Sequence, residues 1–395
     1  MKKILIVASS LNCGGLEKSL IEFCNIIDYS LIEVDLYLFN DGRVLLDELN
    51  KNVNLLPDSP YYSLVYNQPL LKSVSSLIKN RKYGLAIYRI IRCFRNKVLN
   101  LTTLDKYDWK HMKKAMLNIS KNYDVAIGFE EGTACYYVGD CINATNKNLW
   151  IHTDIEKINT NSYLDNVAFD QANKIFTVSQ NSLNSLTRRY PAYVDKMKYV
   201  NIAYLIDKKK LLCLSNEYCE MSKIEAIKIV SVGRLVELKG FHLCVQSLKE
   251  LIDLGYDAYW YIVGEGEYRT TIESLIKQYN MEEKFILIGN SNNPYKYIKN
   301  ATLCVQPSSY EGFSLVVWEE KLLKKAVVVT KISSNYEMIE EEKSGLFVDR
   351  NSKDIMFGVK KLIDNQELLE IVSNTPAKDR LTQEEATREI RKTLA

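Results

Sequence analysis

The sequence predicts an α/β protein made of two Rossmann-like, doubly wound parallel-sheet domains that face a cleft. Short apolar runs alternate with longer helical patterns along the chain, and the same alternation begins again after residue 226. Such alternation is typical of parallel strands whose sheet is covered by helices on both faces. The length of 395 residues also exceeds what one hydrophobic core usually organises.

The strands are predicted from apolar runs bounded by polar or turn residues. Those of the first sheet are ILIVAS (4–9), VDLYLF (34–39), DVAIGF (124–129), NLWIH (148–152) and KIFTVS (174–179). Those of the second are IKIVSVGR (227–234), YWYIVGEG (259–266), FILIG (285–289), TLCVQPS (302–308), AVVVT (326–330) and GLFVD (345–349). We therefore assign 1–204 to the first domain, 205–226 to a linker, 227–375 to the second domain and 376–395 to a C-terminal helix.

The composition is that of a soluble globular protein, with 47% hydrophobic and 26% charged residues. Nine cysteines without a CxxC pair argue against a disulfide framework and a structural zinc site, so we expect reduced thiols and a cytoplasmic location. The chain has no Asp-x-Asp pair and no His/Asp cluster with metal-ligand spacing, so neither a metal nor another cofactor is expected. No run approaches the roughly 20 apolar residues of a membrane span, and MKKILIVASS is interpreted as a first strand, not a signal peptide.

A glycine-containing loop follows the first strand of each half. In the first half Gly14 and Gly15 precede a helix, where paired glycines leave backbone amides available to an anion, although an ordinary tight turn explains them equally well. In VGRLVELKGFHL the cations Arg234 and Lys239 lie between Gly233 and Gly240. An arginine fork and a lysine point charge at a strand end can hold a diphosphate. Either cation alone would be read as a solvated loop charge.

A further loop, QPSSYEGFSLVVWEE, ends a strand at Pro307 and enters a helix near Ser314. Glu311 then lies in the loop and Glu319 in the helix, so that both can face one cleft. Ionised carboxylates are strong acceptors for the hydroxyls of ribose or hexose, and the amides around Ser314 and Leu315 can receive a phosphate. The alternative to a binding role is that a glutamate at this strand-to-helix turn is only a first-turn charge, which the helix dipole favours. Gly264 and Gly266, in IVGEGEYR, are interpreted as turn formers only.

The ordered set GGLEKSL, GRLVELKG and EGFSLVVWE resembles the retaining glycosyltransferases of family four (glycosyl transferases group 1), which have the GT-B fold. The resemblance covers nearly the whole chain and is strongest in 227–350. It implies that Arg234 and Lys239 grip the donor diphosphate, that Glu319 holds the nucleotide ribose, and that Glu311 faces the donor sugar. The chain departs from the family's pattern in two places. The segment EKLLKKAVVVT, directly after Glu319, lacks the small residues that the family commonly has at this position, and the C-terminal TREIRKTLA lacks the family's aromatic-rich tail.

The resemblance also assigns a histidine and the remaining donor contacts. His152, in LWIHTD, matches the family's active-site histidine, although a lone histidine is more often structural. The predicted catalytic residues are His152, Glu311, Arg234 and Lys239. The predicted donor-binding residues are Gly14, Gly15, Gly233, Arg234, Lys239, Gly312, Phe313, Ser314, Leu315 and Glu319.

The implied activity is transfer of a hexosyl group from a nucleoside diphosphate sugar to a saccharide acceptor with retention of the anomeric configuration. UDP is preferred over GDP on the prevalence of UDP in the family. The resemblance further implies front-face attack, with the departing phosphate accepting the proton. A sugar-nucleotide epimerase of the same fold and a non-catalytic, sugar-nucleotide-binding partner subunit are the competing interpretations.

The segment 72–100 carries eight basic residues and no acidic one. Within it, LAIYRIIRCFRNKVL places Ile87, Ile90, Ile91, Phe94 and Val98 at helical spacing, with Arg89, Arg92 and Lys97 largely elsewhere around the helix. Such a helix can lie on an anionic membrane surface, which would place the protein on the inner face of the membrane and favour a lipid-linked acceptor for cell-surface polysaccharide synthesis. A core-facing helix with a solvated basic side fits the pattern equally well. Nucleic acid is not expected as a partner, because no recognised motif accompanies the basic run.

Overall fold

The structure is a computed structural model that describes residues 1–12, 14–99, 104–378 and 383–394. The chain divides into two compact units. The first is built from Met1–Asn12 and Leu16–Ile202, joined by Glu385–Ala395, and the second mainly from Ala203–Glu384.

The first unit is built around a seven-stranded sheet in which every paired strand is parallel to its neighbour. Its strands are β1 (Lys2–Ala8), β2 (Ile32–Leu38), β3 (Val53–Leu55), β4 (Tyr123–Gly128), β5 (Ala144–Ile151), β6 (Lys174–Thr177) and β7 (Met197–Tyr199). They lie in the order β3-β2-β1-β4-β5-β6-β7. The order reverses between β1 and β4, which makes this point the expected ligand position in a doubly wound sheet.

The second unit repeats the arrangement with six parallel strands. They are β8 (Ile227–Val232), β9 (Ala258–Val263), β10 (Phe285–Gly289), β11 (Leu303–Gln306), β12 (Ala326–Thr330) and β13 (Leu346–Val348). Their order, β10-β9-β8-β11-β12-β13, reverses between β8 and β11. The predicted class of two doubly wound parallel-sheet domains is therefore confirmed, while the predicted cleft stays a prediction.

Helices accompany both sheets. Those of the first unit are α1 (Gly15–Asn25), α2 (Tyr62–Tyr66), α3 (Leu70–Lys79), α4 (Tyr83–Leu99), α5 (Lys106–Ala115), α6 (Thr133–Cys141), α7 (Ser162–Gln171) and α8 (Gln180–Arg189). The next are α9 (Lys208–Ser215), α10 (Phe241–Asp253), α11 (Arg269–Gln278), α12 (Tyr295–Asn300), α13 (Leu315–Leu322), α14 (Ser333–Met338), α15 (Ser352–Asp364), α16 (Gln366–Asn374) and α17 (Gln383–Thr393). Among the residues that the structure describes, none of these helices combines the length and apolar character needed to cross a membrane.

The eleven predicted strands are all present, and most of their central residues are buried on both faces of the sheets. In β1, for example, Ile4–Ala8 is entirely inaccessible to solvent. Burying each Leu, Ile or Val side chain of this kind contributes about 1.5–3 kcal/mol. Two three-residue edge strands, β3 and β7, were not predicted.

Two connecting regions have defined structure. The region 205–226, predicted as a linker, contains α9 and packs on the second unit, where Asn293 Nδ2 donates to the Leu214 carbonyl at 2.8 Å. Within the predicted C-terminal segment 376–395, α17 is the described helix and clusters with the first unit. There Asn148 Nδ2 donates to the carbonyl of Thr393 at 2.6 Å, inside the buried core.

Candidate functional site

The loops that follow β8 and β11 leave the same edge of the second sheet at the reversal of strand order. The backbone of the β11 loop is joined to that of the β8 loop, since the Ser309 amide donates to the Leu238 carbonyl at 2.8 Å. Gly240 adopts φ +73°, and a Cβ there would lie 2.3 Å from the Pro307 carbonyl oxygen. Only glycine permits this approach. The two loops are therefore held against each other by their backbones.

The loop after β9 fixes the β8 loop from its other side. The Leu235 amide donates to the Glu265 carbonyl at 2.8 Å. A Cβ on Gly264 would lie only 1.9 Å from the carbonyl oxygen of Gly233. Close backbone approach, and not only a tight turn, therefore explains the glycines of the GEG sequence. Arg234 projects from this braced segment as an exposed side chain.

Lys239 and Glu311, 72 residues apart in sequence, form an ion pair at this edge. Lys239 Nζ lies 2.5 Å from Glu311 Oε1, and both side chains are largely buried. Ser308 Oγ donates to the same carboxylate oxygen at 2.7 Å. A lysine, a carboxylate and a hydroxyl therefore meet at one point, which can offer a cation to a phosphate and acceptors to hydroxyl groups.

The turn into α13 contains the other predicted residues of this loop. Gly312 and Phe313 lead into Ser314, the buried residue preceding the helix. Ser314 makes no side-chain capping bond, and the Leu315 amide donates weakly to the Phe313 carbonyl at 3.2 Å. Phosphate binding by these amides stays a prediction.

Glu319 is 3% exposed, and its carboxylate is anchored by a residue that sequence reasoning missed. The hydroxyl of Tyr295, on α12, donates to Glu319 Oε1 at 2.8 Å. This bond fixes the position of the carboxylate. The sequence offers no signal that separates Tyr295 from the other 25 tyrosines of the chain.

The residues after Glu319, where the chain departs from the resemblance, are also buried. Gln306 Nε2 donates to Glu320 Oε1 at 2.6 Å, and burial raises the pKa of Glu320 to about 8. Burial lowers the pKa of Lys321 to about 8, while its ammonium donates to the Val372 carbonyl. Glu320 and Lys321 thus belong to the packing of α13.

The other predicted residues follow strands of the first sheet. Gly14 comes after β1, and Gly15 begins α1. His152 follows β5, its amide donating to Glu131 Oε2 at 2.8 Å and its ring centroid lying 5.0 Å from that of Phe129. Burial lowers the pKa of His152 to about 3, so the imidazole is neutral at physiological pH. Its Nε2 is buried without a hydrogen-bond partner among the described residues.

Besides Glu131, a second carboxylate, Glu130, lies at the carboxyl ends of the strands of the first sheet, and sequence reasoning also missed it. It follows β4, and Ser9, which follows β1, donates to Glu130 Oε2 at 3.0 Å. Its only sequence signal is its place directly after the predicted strand 124–129. Within the described residues, no group of three or more His, Cys, Asp or Glu side chains is arranged to hold a metal ion.

Known proteins resemble this chain both in sequence and in fold. One similar sequence is the N-acetylgalactosamine-N,N'-diacetylbacillosaminyl-diphospho-undecaprenol 4-alpha-N-acetylgalactosaminyltransferase of Campylobacter jejuni, 28% identical over 54% of this chain and 57% of that protein. The poly(ribitol-phosphate) alpha-N-acetylglucosaminyltransferase of Staphylococcus aureus is 23% identical over 57% of this chain and 46% of that protein. The matches thus span about half the length of these relatives.

The fold is shared along the whole chain with solved glycosyltransferase structures. Anabaena HepE, crystallised with UDP-glucose, superposes with a TM-score of 0.71 at 15% identity, covering 100% of this chain and 99% of HepE. Sucrose-phosphate synthase from Thermosynechococcus elongatus superposes with a TM-score of 0.63 at 14% identity, covering 100% and 95%. The family model described as glycosyl transferases group 1 matches residues 221–379, which include Arg234, Lys239, Glu311 and Glu319. Residues 221–379 thus match the glycosyl transferases group 1 family, and the fold of the chain is that of the GT-B glycosyltransferases.

Proposed function

We propose that the protein is a retaining glycosyltransferase that moves a hexosyl group from a UDP-sugar to a saccharide acceptor. The observation that carries this proposal is the meeting of Lys239, Glu311 and Ser308 at the reversal of strand order, inside the part of the chain that matches the family. The solved structure of HepE with UDP-glucose supports UDP as the nucleotide of the donor. The names of the two relatives, each of which transfers an N-acetylhexosaminyl group, support a hexosyl group as the transferred sugar and a role in cell-surface glycan synthesis.

In this proposal the donor diphosphate replaces Glu311 as the partner of Lys239. The diphosphate carries more charge than one carboxylate, and the exposed Arg234 can add a forked contact to it. Glu311, still held by Ser308, then becomes available to the hydroxyls of the donor sugar. The two cations stabilise the charge that develops on the leaving diphosphate, which is electrostatic catalysis by prepositioned groups.

The proposed chemical step needs no covalent intermediate with the protein. The bond between the anomeric carbon and the diphosphate oxygen breaks while the acceptor oxygen attacks from the same face. The acceptor proton passes to the departing phosphate oxygen, and the configuration is retained. His152, assigned to the donor sugar by the family resemblance, acts as a neutral hydrogen-bonding group because burial holds its pKa near 3.

Glu319 is assigned to the ribose hydroxyls of the nucleotide. Its carboxylate is held by Tyr295 before any ligand binds, so little side-chain entropy is lost on binding. A diol donating to an ionised carboxylate forms charge-assisted hydrogen bonds, which are stronger than neutral ones. This arrangement favours a ribonucleotide donor.

The acceptor is proposed to be lipid-linked, because α4 exposes its apolar side. Ile87 is 58% and Phe94 68% exposed, with Ile90 and Ile91 exposed between them. On α3, Leu71 is 86% exposed. The core-facing alternative is wrong for these residues. The side chain of Val98 and residue Asn100, the end of the predicted segment, lie outside the described residues.

The arginines of α4 point inward instead. The Arg89 guanidinium donates to the Gln68 carbonyl at 3.2 Å, and Arg95 pairs with Asp105. The exposed apolar side is therefore flanked by the lysines of a segment without acidic residues: Lys72, Lys79, Lys82 and Lys97. Apolar side chains among exposed lysines complement an anionic bilayer surface. We propose that α3 and α4 dock the protein on such a surface, where a lipid-linked saccharide is presented.

The activity is tested with a panel of UDP- and GDP-sugars, using membrane lipid extract as acceptor. We expect one UDP-sugar to release UDP only when acceptor is present, and Glu319→Gln to lower kcat/KM for that donor by roughly 10- to 100-fold through the loss of charge-assisted bonds. The exposed Glu282→Gln is the matched control. Epimerised donor formed without acceptor would favour the epimerase, and tight donor binding without turnover would favour the partner subunit.

Membrane docking is tested by sedimentation with vesicles. Wild type should bind vesicles containing phosphatidylglycerol and release from them at high salt, while neutral phosphatidylcholine vesicles should bind far less. The double variant Ile90→Ser, Phe94→Ser should lose most of this binding. Phe357→Ser, at a half-exposed phenylalanine of the second unit, is the control. Equal binding by the double variant and wild type would refute the docking surface.

A further inference from the structure

Arg350, which comes two residues after β13, joins the two loops that carry Lys239 and Glu311. Its Nε donates to the Pro307 carbonyl at 3.3 Å, and its Nη2 donates to the Glu237 carbonyl at 2.8 Å. Pro307 begins the loop that leads to Glu311, and Glu237 begins the single helical turn that ends at Lys239. One guanidinium therefore bridges the two segments that hold the ion pair of the candidate site.

This bridge is not part of the hydrogen bonding of the sheet. In the order β8-β11-β12-β13, Arg350 follows the edge strand, and β12 lies between that strand and β11. Neighbouring strands are about 4.8 Å apart, so contact with the β11 and β8 loops requires a long side chain. Arginine has both the length and the forked donors for a double contact, whereas lysine carries a single ammonium.

The exposure of Arg350 separates positioning from overall stability. The residue is exposed, and the neighbouring Asp349 pairs with Lys331 at 3.0 Å. Water can replace an exposed guanidinium at a backbone carbonyl, so removal of Arg350 should cost little stability. What removal does eliminate is the connection between the two loops, because a water molecule has no covalent attachment to β13.

We propose that Arg350 is a positioning residue, which sets the relative position of the two loops and so prepositions Lys239 for the donor diphosphate. This inference rests on the proposed function and adds a residue to it. A cation that is already held in place loses less conformational freedom when the anion binds, which strengthens binding. Arg350 acts through the Glu237 and Pro307 carbonyls and needs no contact with the nucleotide.

The first test is hydrogen exchange of the two loops, which requires no ligand. The Ser309 amide, which joins the loops through the Leu238 carbonyl, should exchange about 3- to 30-fold faster in Arg350→Gln than in the wild type. Lys331→Gln removes another exposed cation at the same edge and should leave this rate unchanged. Arg350→Lys keeps the charge without the fork and should behave like Arg350→Gln. Equal rates in Arg350→Gln and Lys331→Gln, or full restoration by Arg350→Lys, would overturn the proposal.

The second test is the affinity for UDP, measured by calorimetry. The Kd should rise about 3- to 30-fold in Arg350→Gln, while its unfolding in urea should match that of Lys331→Gln. A merely structural role would lower stability without this selective loss of affinity. Because Arg350 acts through Lys239, Arg350→Gln should raise the Kd less than about twofold when Lys239→Gln is already present. An unchanged Kd, or fully additive effects of the two substitutions, would contradict the inference.

The two tests separate this inference from the proposed function. If the wild type binds neither UDP nor GDP, the proposed function fails. Hydrogen exchange then decides alone whether Arg350 positions the loops, since faster exchange confined to the Arg350 variants supports the inference and unchanged exchange overturns it.

Discussion

Replacing Glu320 with glutamine is expected to stabilise the second unit, and to do so more at pH 9 than at pH 6. Glu320 is fully buried on α13. Gln306 donates to its Oε1, while Oε2 has no hydrogen-bond partner among the described residues. Burial, with a further contribution from the neighbouring Glu319, raises its pKa from 4.5 to about 8. A glutamine keeps the oxygen that Gln306 contacts and removes the ionisable group.

The magnitude follows from the difference in pKa between the folded and unfolded states. Below pH 4.5 the carboxyl of Glu320 is protonated in both states. As the pH rises toward 8 the unfolded state loses its proton first, so stability is lost across this window at about 1.4 kcal/mol per pH unit. From pH 6 to pH 9 the loss is about 2–3 kcal/mol, and Glu320→Gln should not show it. Lys321 is present in both the wild type and the variant. Its attraction to ionised Glu320 exists only in the wild type, so it makes the expected difference in stability smaller.

The assay is urea unfolding at pH 6, 7.5 and 9, with hydrogen exchange of β11 and β12 peptides to locate the effect in the second unit. The exposed Glu282→Gln serves as the control and should follow the wild type at every pH. The free energy of unfolding of Glu320→Gln should exceed that of the wild type by an amount that grows with pH. An advantage that is the same at pH 6 and pH 9, or a loss of stability at all three, would refute the reasoning.

Three further expectations concern the candidate site. Tyr295→Phe, which removes the hydroxyl that holds Glu319, should raise the donor KM about three- to tenfold with little change in kcat, measured by steady-state kinetics. Gly240→Ala should destabilise the second unit by roughly 1–3 kcal/mol in urea, because φ is +73° and the added Cβ would meet the Pro307 carbonyl. The pH–rate profile between 5 and 8 should contain no ionisation of His152, since its pKa is lowered to about 3; an ionisation near 6.5 that disappears in His152→Gln would contradict this.

Much of the fold could be predicted because parallel strands buried on both faces appear in the sequence as continuous apolar runs. The positions of Lys239 and Glu311 followed from the same logic, since each lies in the loop after such a run. β3 (VNL) and β7 (MKY) were missed because a polar residue interrupts each short run, whereas the equally short β13 (LFV) is continuously apolar. Tyr295 escaped because its role depends on how α12 packs beside α13, a contact that no local pattern encodes.

The orientation of α4 could not be predicted for a different reason. An amphipathic pattern gives the two sides of a helix but does not specify which side meets the protein. Here the arginine side turns inward because Asp105, the N-cap residue of α5, and Asp108, within α5, supply carboxylates for Arg95 and Arg92. Tyr88, on the same side, donates to Asp108 at 2.6 Å. The isoleucines are consequently left on the exposed side, which is what makes a membrane surface the proposed partner.

Both units have the same reversal of strand order, so topology alone does not decide which substrate each one binds. The charges at the two positions differ. Arg234 and Lys239 follow the first strand of the second sheet, where they can neutralise a diphosphate. At the matching position of the first sheet, the charges that act on Glu130 come from Glu131 and Glu17 and are negative. The cations therefore support the proposal that the anionic nucleotide sugar binds to the second unit, while the acidic groups at the matching position of the first unit disfavour an anionic ligand there.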